Sequence, residues 1–343
     1  MFWTNNKILS YNKPFNFVIG ERTGGKTFDS KNLAIRTFKN DGKLTVWIRR
    51  EKTELSKQFR MQFFTDVQHL WKDSEFEIKA NDIGAVGYIN GEPFIFFVAL
   101  SVWYKHKSIP FNNVKWIIFD EFIVNPNASQ RYLKGEAFSF FEVYHTVARP
   151  YEREVDGVKT LIDPKTRVLF LGNSVSVVNP YFLYLNIYPS KTEEFTQYPN
   201  AVIQIWDGTE HQKYMETTSL GQAIDGTKYK AYAQDNEFYL DNDAFISKKP
   251  KGSFYLCGFS VEQNKIGCWI NYERGKVYIN SQVDPSHIMV AVHNEDHEPN
   301  VLMIQYFKRT APYKELKLAL EHGLIMYDNQ MTKSLFYDIF GML

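Results

Sequence analysis

Residues 17–27 read FVIGERTGGKT, and the fold turns on whether this stretch cradles a phosphate or only reverses the chain. Its last eight residues, Gly20 to Thr27, fit G-x-x-x-x-G-K-[ST], the loop whose backbone N–H groups wrap nucleotide phosphates. Upstream, Phe15, Phe17, Val18 and Ile19 form the apolar run of a buried strand. Downstream, FDSKNLAIRTFKN spaces Phe28, Leu33 and Phe38 for a helix. Strand, glycine loop and helix is the order the motif requires. Gly20 and Gly25 permit backbone angles that a side chain forbids, and with Gly24 they let consecutive N–H groups turn inward. The following helix points its positive end at the same anion. Lys26 is placed for the β- and γ-phosphates and Thr27 for Mg²⁺, with Arg22 as a further positive charge near the γ-phosphate. The expected ligands are ATP and Mg²⁺.

From residue 14 to about 200, apolar runs alternate with helix-like segments: KLTVWIRR (43–50), FIFFVAL (94–100), VKWIIFDEF (114–122) and RVLFLGNS (167–174). That alternation predicts an α/β domain with a mainly parallel sheet covered on both faces. Residues 74–93 read as a hairpin turning at Asn90–Gly91. Domain boundaries are set at 1–200 for the P-loop domain, 201–232 for a polar linker and 233–343 for a smaller α+β domain. In that last part, FYLCGFSV, IGCWINYE and KVYINSQV predict an antiparallel meander. YKELKLALEHG and TKSLFYDIFGML predict helices.

WIIFDE (116–121) ends an apolar run in two carboxylates. At the C-terminal end of a buried strand, Asp120 falls beside the phosphate loop, where it can hold Mg²⁺ directly or through water. Glu121 is then positioned to orient or deprotonate an attacking water, which favours hydrolysis over simple nucleotide binding. Asn173, at the end of the next strand, is read as a sensor of the γ-phosphate. Arg149 closes the helix-like GEAFSFFEVYHTVAR. Pro150 pushes it out of helical geometry, so its guanidinium is expected to be exposed and available as an arginine finger. Arg153 and Arg167 compete for that role.

The chain is 44% hydrophobic, 23% charged and 16% aromatic, with a formal net charge of +1, so nucleic-acid contact has to come from local basic loops. Two such loops stand out: RREKTELSKQFR (49–60) and WYKHK (103–107). No apolar run reaches membrane-spanning length, and MFWTNNKILS lacks the layout of a secretion signal. Cys257 and Cys268 fit a reducing compartment; they can face each other across a hairpin or simply be two small core residues. The cluster HIMVAVHNEDHE holds His287, His293 and His297 beside acids, but no cysteine pattern supports zinc there.

The phosphate loop, IIFDEFI and above all NSVSVVNPYFLYLN (173–186) resemble the DNA-packaging ATPases of small protein-primed podophages. AIDGTKY (223–229) and DNQ (328–330) extend the likeness. The resemblance implies an ASCE-type P-loop ATPase joined to a C-terminal domain similar to an RNase H-like nuclease that has lost its catalytic acids. It implies a homo-oligomeric ring, commonly a pentamer, that is attached to the portal vertex through a packaging RNA and pumps double-stranded viral DNA into a prohead. Such a motor works in the host cytoplasm, attached transiently to the portal, and is absent from the mature virion. Residue by residue, Lys26 and Thr27 match its phosphate loop and Asp120 and Glu121 its hydrolytic pair. Arg149 matches its trans-acting arginine, and Lys52 and Lys107 match its DNA-touching positions. VNPNAS, directly after DEFI, is less basic than the family leads one to expect. FYLCGFSV carries no carboxylate, so a binding module is expected there, not a two-metal nuclease. A helicase-type motor and a P-loop kinase acting on a small molecule share the same loop and stay open on the residues alone.

Overall fold

The computed structural model describes residues 2–81, 84–106, 111–125, 130–155, 158–190, 193–227, 230, 241, 243–262 and 264–343. Its internal contacts divide the chain into two units: Met1–Val175 with Tyr188–Tyr239, and Ser176–Ile187 with Leu240–Leu343.

The apolar runs of the first unit become strands. In chain order they are β1 (Phe15–Gly20), β2 (Leu44–Arg49), β3 (Phe76–Asn81), β4 (Gly84–Ile89), β5 (Glu92–Ala99), β6 (Val114–Asp120), β7 (Tyr151–Val155), β8 (Val158–Ile162), β9 (Arg167–Asn173), β10 (Phe195–Gln197) and β11 (Ala201–Ile205). Among the described residues, β7 and β8 pair only with each other, in a separate two-stranded sheet. The rest form a nine-stranded sheet in the order β10-β11-β1-β9-β6-β2-β5-β4-β3. From β11 to β5 every neighbouring pair is parallel. β9 is inserted between the P-loop strand β1 and the Asp-Glu strand β6, the additional strand that the ASCE class is named for.

Alternation along β1 sends its side chains to both faces. Val18 joins Leu33 and Ile35 of the helix Lys26–Asp41 in one core. Phe17 stacks on Phe170 at 4.3 Å, and Phe15 meets Phe141 of the helix Glu136–Ala148 at 5.5 Å, forming the other core. The hairpin at Asn90–Gly91 is present between β4 and β5. Both residues have positive φ, 51° and 82°, as a two-residue turn between right-twisted strands demands.

Two expectations about domain limits are corrected. Ala201–Ile205, read as the start of a linker, is β11, hydrogen-bonded in parallel to β1. Residues 176–187, read as part of the first domain, cluster with the second unit. There Asn179 caps the helix Pro180–Leu185 by accepting the Phe182 N–H at 3.0 Å, and Ser176 donates to Asp241 at 2.6 Å.

The second unit forms a six-stranded sheet of β12 (Phe254–Val261), β13 (Asn264–Asn271), β14 (Lys276–Asn280), β15 (Met289–Ala291), β16 (Leu302–Met303) and β17 (Ile325–Tyr327), in the order β16-β15-β12-β13-β14-β17. The predicted meander is β12–β13–β14, antiparallel throughout, and β15 and β16 then add in parallel beside β12. This is the strand arrangement of an RNase H-like sheet, with β17 added in parallel beside β14. Helices Ala311–Glu321 and Gln330–Gly341 cover it through Leu316, Ala319, Phe336 and Ile339. The DNQ patch is the start of the last helix, where Asn329 accepts the Thr332 N–H at 2.9 Å. Cys257 and Cys268 are register partners on β12 and β13, both buried and both free thiols, so they face each other and also serve as core.

Candidate active site

Parallel strands whose order switches direction leave a crevice at their carboxyl ends. Here β1, β6 and β9 end at Gly20, Asp120 and Asn173. A cleft of about 420 Å³ opens there, lined by the loop residues Arg22 to Phe28 together with Asp66, Asp120, Glu121 and Leu171 to Asn173.

The glycines act differently from one another. Gly25 has φ 89° and begins the helix Lys26–Asp41, a conformation open to glycine at no steric cost. Gly20, expected to need an unusual angle, instead ends a regular strand. Its constraint is space, because a Cβ there would meet the Trp206 ring at 3.1 Å. Gly24 is tighter still: a Cβ would sit 2.1 Å from Trp206. Trp206 follows β11, so the misread strand supplies the floor of the loop. Behind it, Glu21 is fully buried and meets the buried His211 at 3.0 Å, with burial holding the imidazole below its usual range.

Lys26 folds over the loop. Its ammonium donates to the Gly20 and Glu21 carbonyls at 3.0 and 2.6 Å and lies 3.4 Å from Asn173 Oδ1. Burial pushes its pKa down to about 8, against the opposing pull of Asp120 and Glu21. Thr27 Oγ1 donates to Asp120 Oδ1 at 3.2 Å. This hydroxyl–carboxylate pair beside the anion cradle is the oxygen-donor set that Mg²⁺ takes.

Asp120 and Glu121 share a cation that sequence reading assigned elsewhere. Arg49, at the end of β2, lies 3.0 Å from Asp120 Oδ2 and 3.0 Å from Glu121 Oε2. Glu121 holds φ 61°, a left-handed conformation costly for a residue with a Cβ. Two features fix it. Phe122 is wholly buried against the space left by Gly172, where a Cβ would come within 2.8 Å of its ring. Arg50 donates to the Glu121 and Phe122 carbonyls at 3.1 and 2.8 Å. Arg50 is itself held by a two-pronged pair with Glu136, at 2.8 and 3.0 Å. Glu136 begins the helix that ends at Arg149. The RREK run was therefore half misread: its two arginines turn inward, and only Lys52, exposed at the start of a short helix, keeps an outward position. An available signal was that RR ends a buried strand at the same sheet edge as FDE.

Arg149 leaves the helix with ψ 141° and is exposed, as Pro150 predicted. It is not among the residues lining the cleft of its own chain. Its competitor Arg167 is committed to structure, donating to the Lys13 and Leu9 carbonyls and stacking 4.9 Å over Trp116. The side chain of Arg153 and all of Lys107 lie outside what the structure describes.

Fold and cleft together define a P-loop ATPase of the additional-strand class, carrying a second, RNase H-like unit. The chain belongs to the podovirus DNA encapsidation protein (Gp16) family, whose model matches residues 1–343. It is 34% identical to the DNA packaging protein of Bacillus phage phi29 over 99% of this chain and 97% of that one. Its fold matches a chain of the bacteriophage phi29 genome packaging motor assembly with a TM-score of 0.74 and 31% identity, over 99% of this chain and 98% of that one. The crystal structure of the N-terminal domain of the phi29 packaging ATPase matches with a TM-score of 0.52 and 35% identity. That match covers 60% of this chain and 96% of the domain.

Proposed function

We propose that the chain hydrolyses ATP with Mg²⁺ as one subunit of a homo-oligomeric, pentameric ring that drives double-stranded viral DNA through the portal of a prohead. The observation that carries this reading is the meeting of Lys26, Thr27, Asp120, Glu121 and Asn173 in one cleft of a full-length DNA encapsidation family member. Gly20, Arg22, Gly24 and Gly25 complete the phosphate cradle. When bound, Mg²⁺ offsets phosphate charge, and Thr27 and Asp120 are the residues to hold it. Lys26 leaves its two backbone carbonyls for the β- and γ-phosphates. Glu121 orients the attacking water and accepts its proton, once Arg49 has yielded its carboxylate. Asn173, beside Lys26, senses the γ-phosphate.

Arg149 serves a neighbouring subunit's cleft as an arginine finger. Lys52 and Lys107 grip DNA phosphates without reading bases. The second unit binds and does not cut, since β12 bears no carboxylate; a packaging RNA and the portal are its candidate partners. The motor operates in the host cytoplasm at the portal vertex and leaves before the virion matures.

The deciding experiment mixes wild type with rising fractions of Arg149→Ala and follows ATPase activity with and without double-stranded DNA. Activity falling faster than the mutant fraction, together with stimulation by DNA, is expected. A proportional fall with no response to DNA would favour a self-contained kinase or NTPase.

A further inference from the structure

A two-stranded hairpin is at best marginally stable alone in water, yet among the described residues β7 and β8 pair with no other strand. Their register sets Glu152 opposite Leu161 and Glu154 opposite Lys159, so all four share one face. That face is solvent-exposed, with Leu161 at 68%. Only Pro150, with its fixed φ, separates the hairpin from Arg149.

The first unit also carries a groove of about 650 Å³, between the helix Lys57–Gln62 and the edge strand β3. Its charged lining is Lys57 and Arg60 against one acid, Glu77, which is paired with Lys79 at 3.0 Å, so the groove is basic on balance, while Met61, Phe64 and Ile78 give it an apolar bed; Met61 is 72% exposed. β3 ends the sheet order, so among the described residues its outer row of N–H and C=O groups has no strand beside it. Thr65 lines this groove and the next residue, Asp66, lines the nucleotide cleft, so groove and cleft adjoin.

We propose that the β7–β8 hairpin is an arm that docks in this groove on a second copy of the chain. Leu161 packs on Met61, Phe64 and Ile78, and Glu152 and Glu154 face Lys57 and Arg60. The proposal rests on the ring reading above and gives Arg149 its aim: the residue enters the neighbour's cleft because the arm beyond it is seated next door. Lengths agree. A five-residue strand spans roughly 17 Å, and four strand spacings from β6 to β3 come to roughly 19 Å. The occupant is a second copy, not the same chain. The hairpin follows the helix Glu136–Ala148 on one sheet face, whereas the Phe64–Phe76 side of the groove belongs to the core on the other.

The test is charge reversal in the full-length chain, read by sedimentation velocity over a concentration series. E152R/E154R and K57E/R60E are each expected to weaken self-association at least tenfold. All four changes in one chain should return it to within about threefold of wild type. These side chains lie at the surface, and far-UV circular dichroism checks that each variant folds. Unchanged association in either pair, or no recovery on combination, overturns the arm. So does a K57E/R60E variant that loses DNA binding with association intact, because the groove would then be a DNA contact. Arg149→Ala separates the two readings: it should leave association intact while abolishing shared-site ATPase. A reversal-and-rescue pattern without shared-site behaviour keeps the arm and sinks the arginine finger.

Discussion

Replacing Arg50 by methionine removes the cation of a pair whose side chains are 4% and 0% exposed. The Glu136 carboxylate is then stranded in the protein interior. Breaking a buried pair from one side in this way costs about 3–5 kcal/mol. Removing both charges is different. With Arg50→Met and Glu136→Met together, an apolar contact replaces the pair, a change that is often neutral or stabilising by about 1–4 kcal/mol. Against that stands the Leu133 N–H, which donates to Glu136 at 2.7 Å and loses its acceptor, at roughly 1–3 kcal/mol. The Glu121 and Phe122 carbonyls lose their donor too, so gain and losses are of similar size and the double variant should unfold within about 3 kcal/mol of wild type and be more stable than Arg50→Met alone.

Its activity should not recover. The two bonds from Arg50 to the Glu121 and Phe122 carbonyls oppose a backbone strain of about 1–3 kcal/mol at Glu121. Once they are gone the turn relaxes and the carboxylate moves, and a displacement near 1 Å is worth about a hundredfold in rate. Urea unfolding followed by tryptophan emission reads the stability, because six of the seven tryptophans lie in the first unit. Steady-state ATPase with double-stranded DNA reads the activity. A double variant with wild-type kcat, or a single Arg50→Met variant losing less than about 1 kcal/mol, refutes the reasoning.

Three further outcomes can be checked. With the Lys26 pKa at about 8 in the nucleotide-free cleft and raised once phosphates surround it, binding takes up a proton above that pH. Affinity for a non-hydrolysable ATP analogue, measured by calorimetry, should fall about tenfold from pH 7 to pH 9, and the slope should vanish in Lys26→Met. Gly24→Ala places its methyl 2.1 Å from Trp206 and should weaken nucleotide binding at least tenfold, whereas Gly42→Ala, with open space around it but a φ of 62°, should cost stability and leave binding unchanged. The full-length chain incubated with Mn²⁺ or Mg²⁺ should leave double-stranded DNA uncut on a gel; metal-dependent cleavage would restore the nuclease reading.

What the sequence made legible was whatever it writes contiguously. GERTGGKT, FDE and the closing Asn173 each sit on a few adjacent residues whose local geometry is set by a strand ending in a loop. The Asn90–Gly91 turn is legible for the same reason. Arg49 and Arg50 were not, because a charge run looks alike whether it faces solvent or turns back on carboxylates seventy or more residues away. β11 was hidden by its brevity: AVIQI is followed by Trp206 and then by a polar run, and its partner β1 lies far upstream. The buried Glu21–His211 contact spans 190 residues, beyond the reach of any motif. Residues 176–187 carried the family likeness clearly but not their membership of the second unit, which only contacts reveal.

The facing cysteines give this protein a built-in clock. Cys257 and Cys268 are both fully buried, and burial holds the Cys268 thiol well above its ordinary pKa, where the reactive thiolate is scarce. An alkylating reagent can reach them only when β12 and β13 part. The rate at which the native protein consumes such a reagent therefore counts the openings of its second unit, with no label introduced and no residue changed. Comparing that rate in free chains and in chains assembled on a portal would tell whether assembly stiffens this unit or leaves it free to breathe.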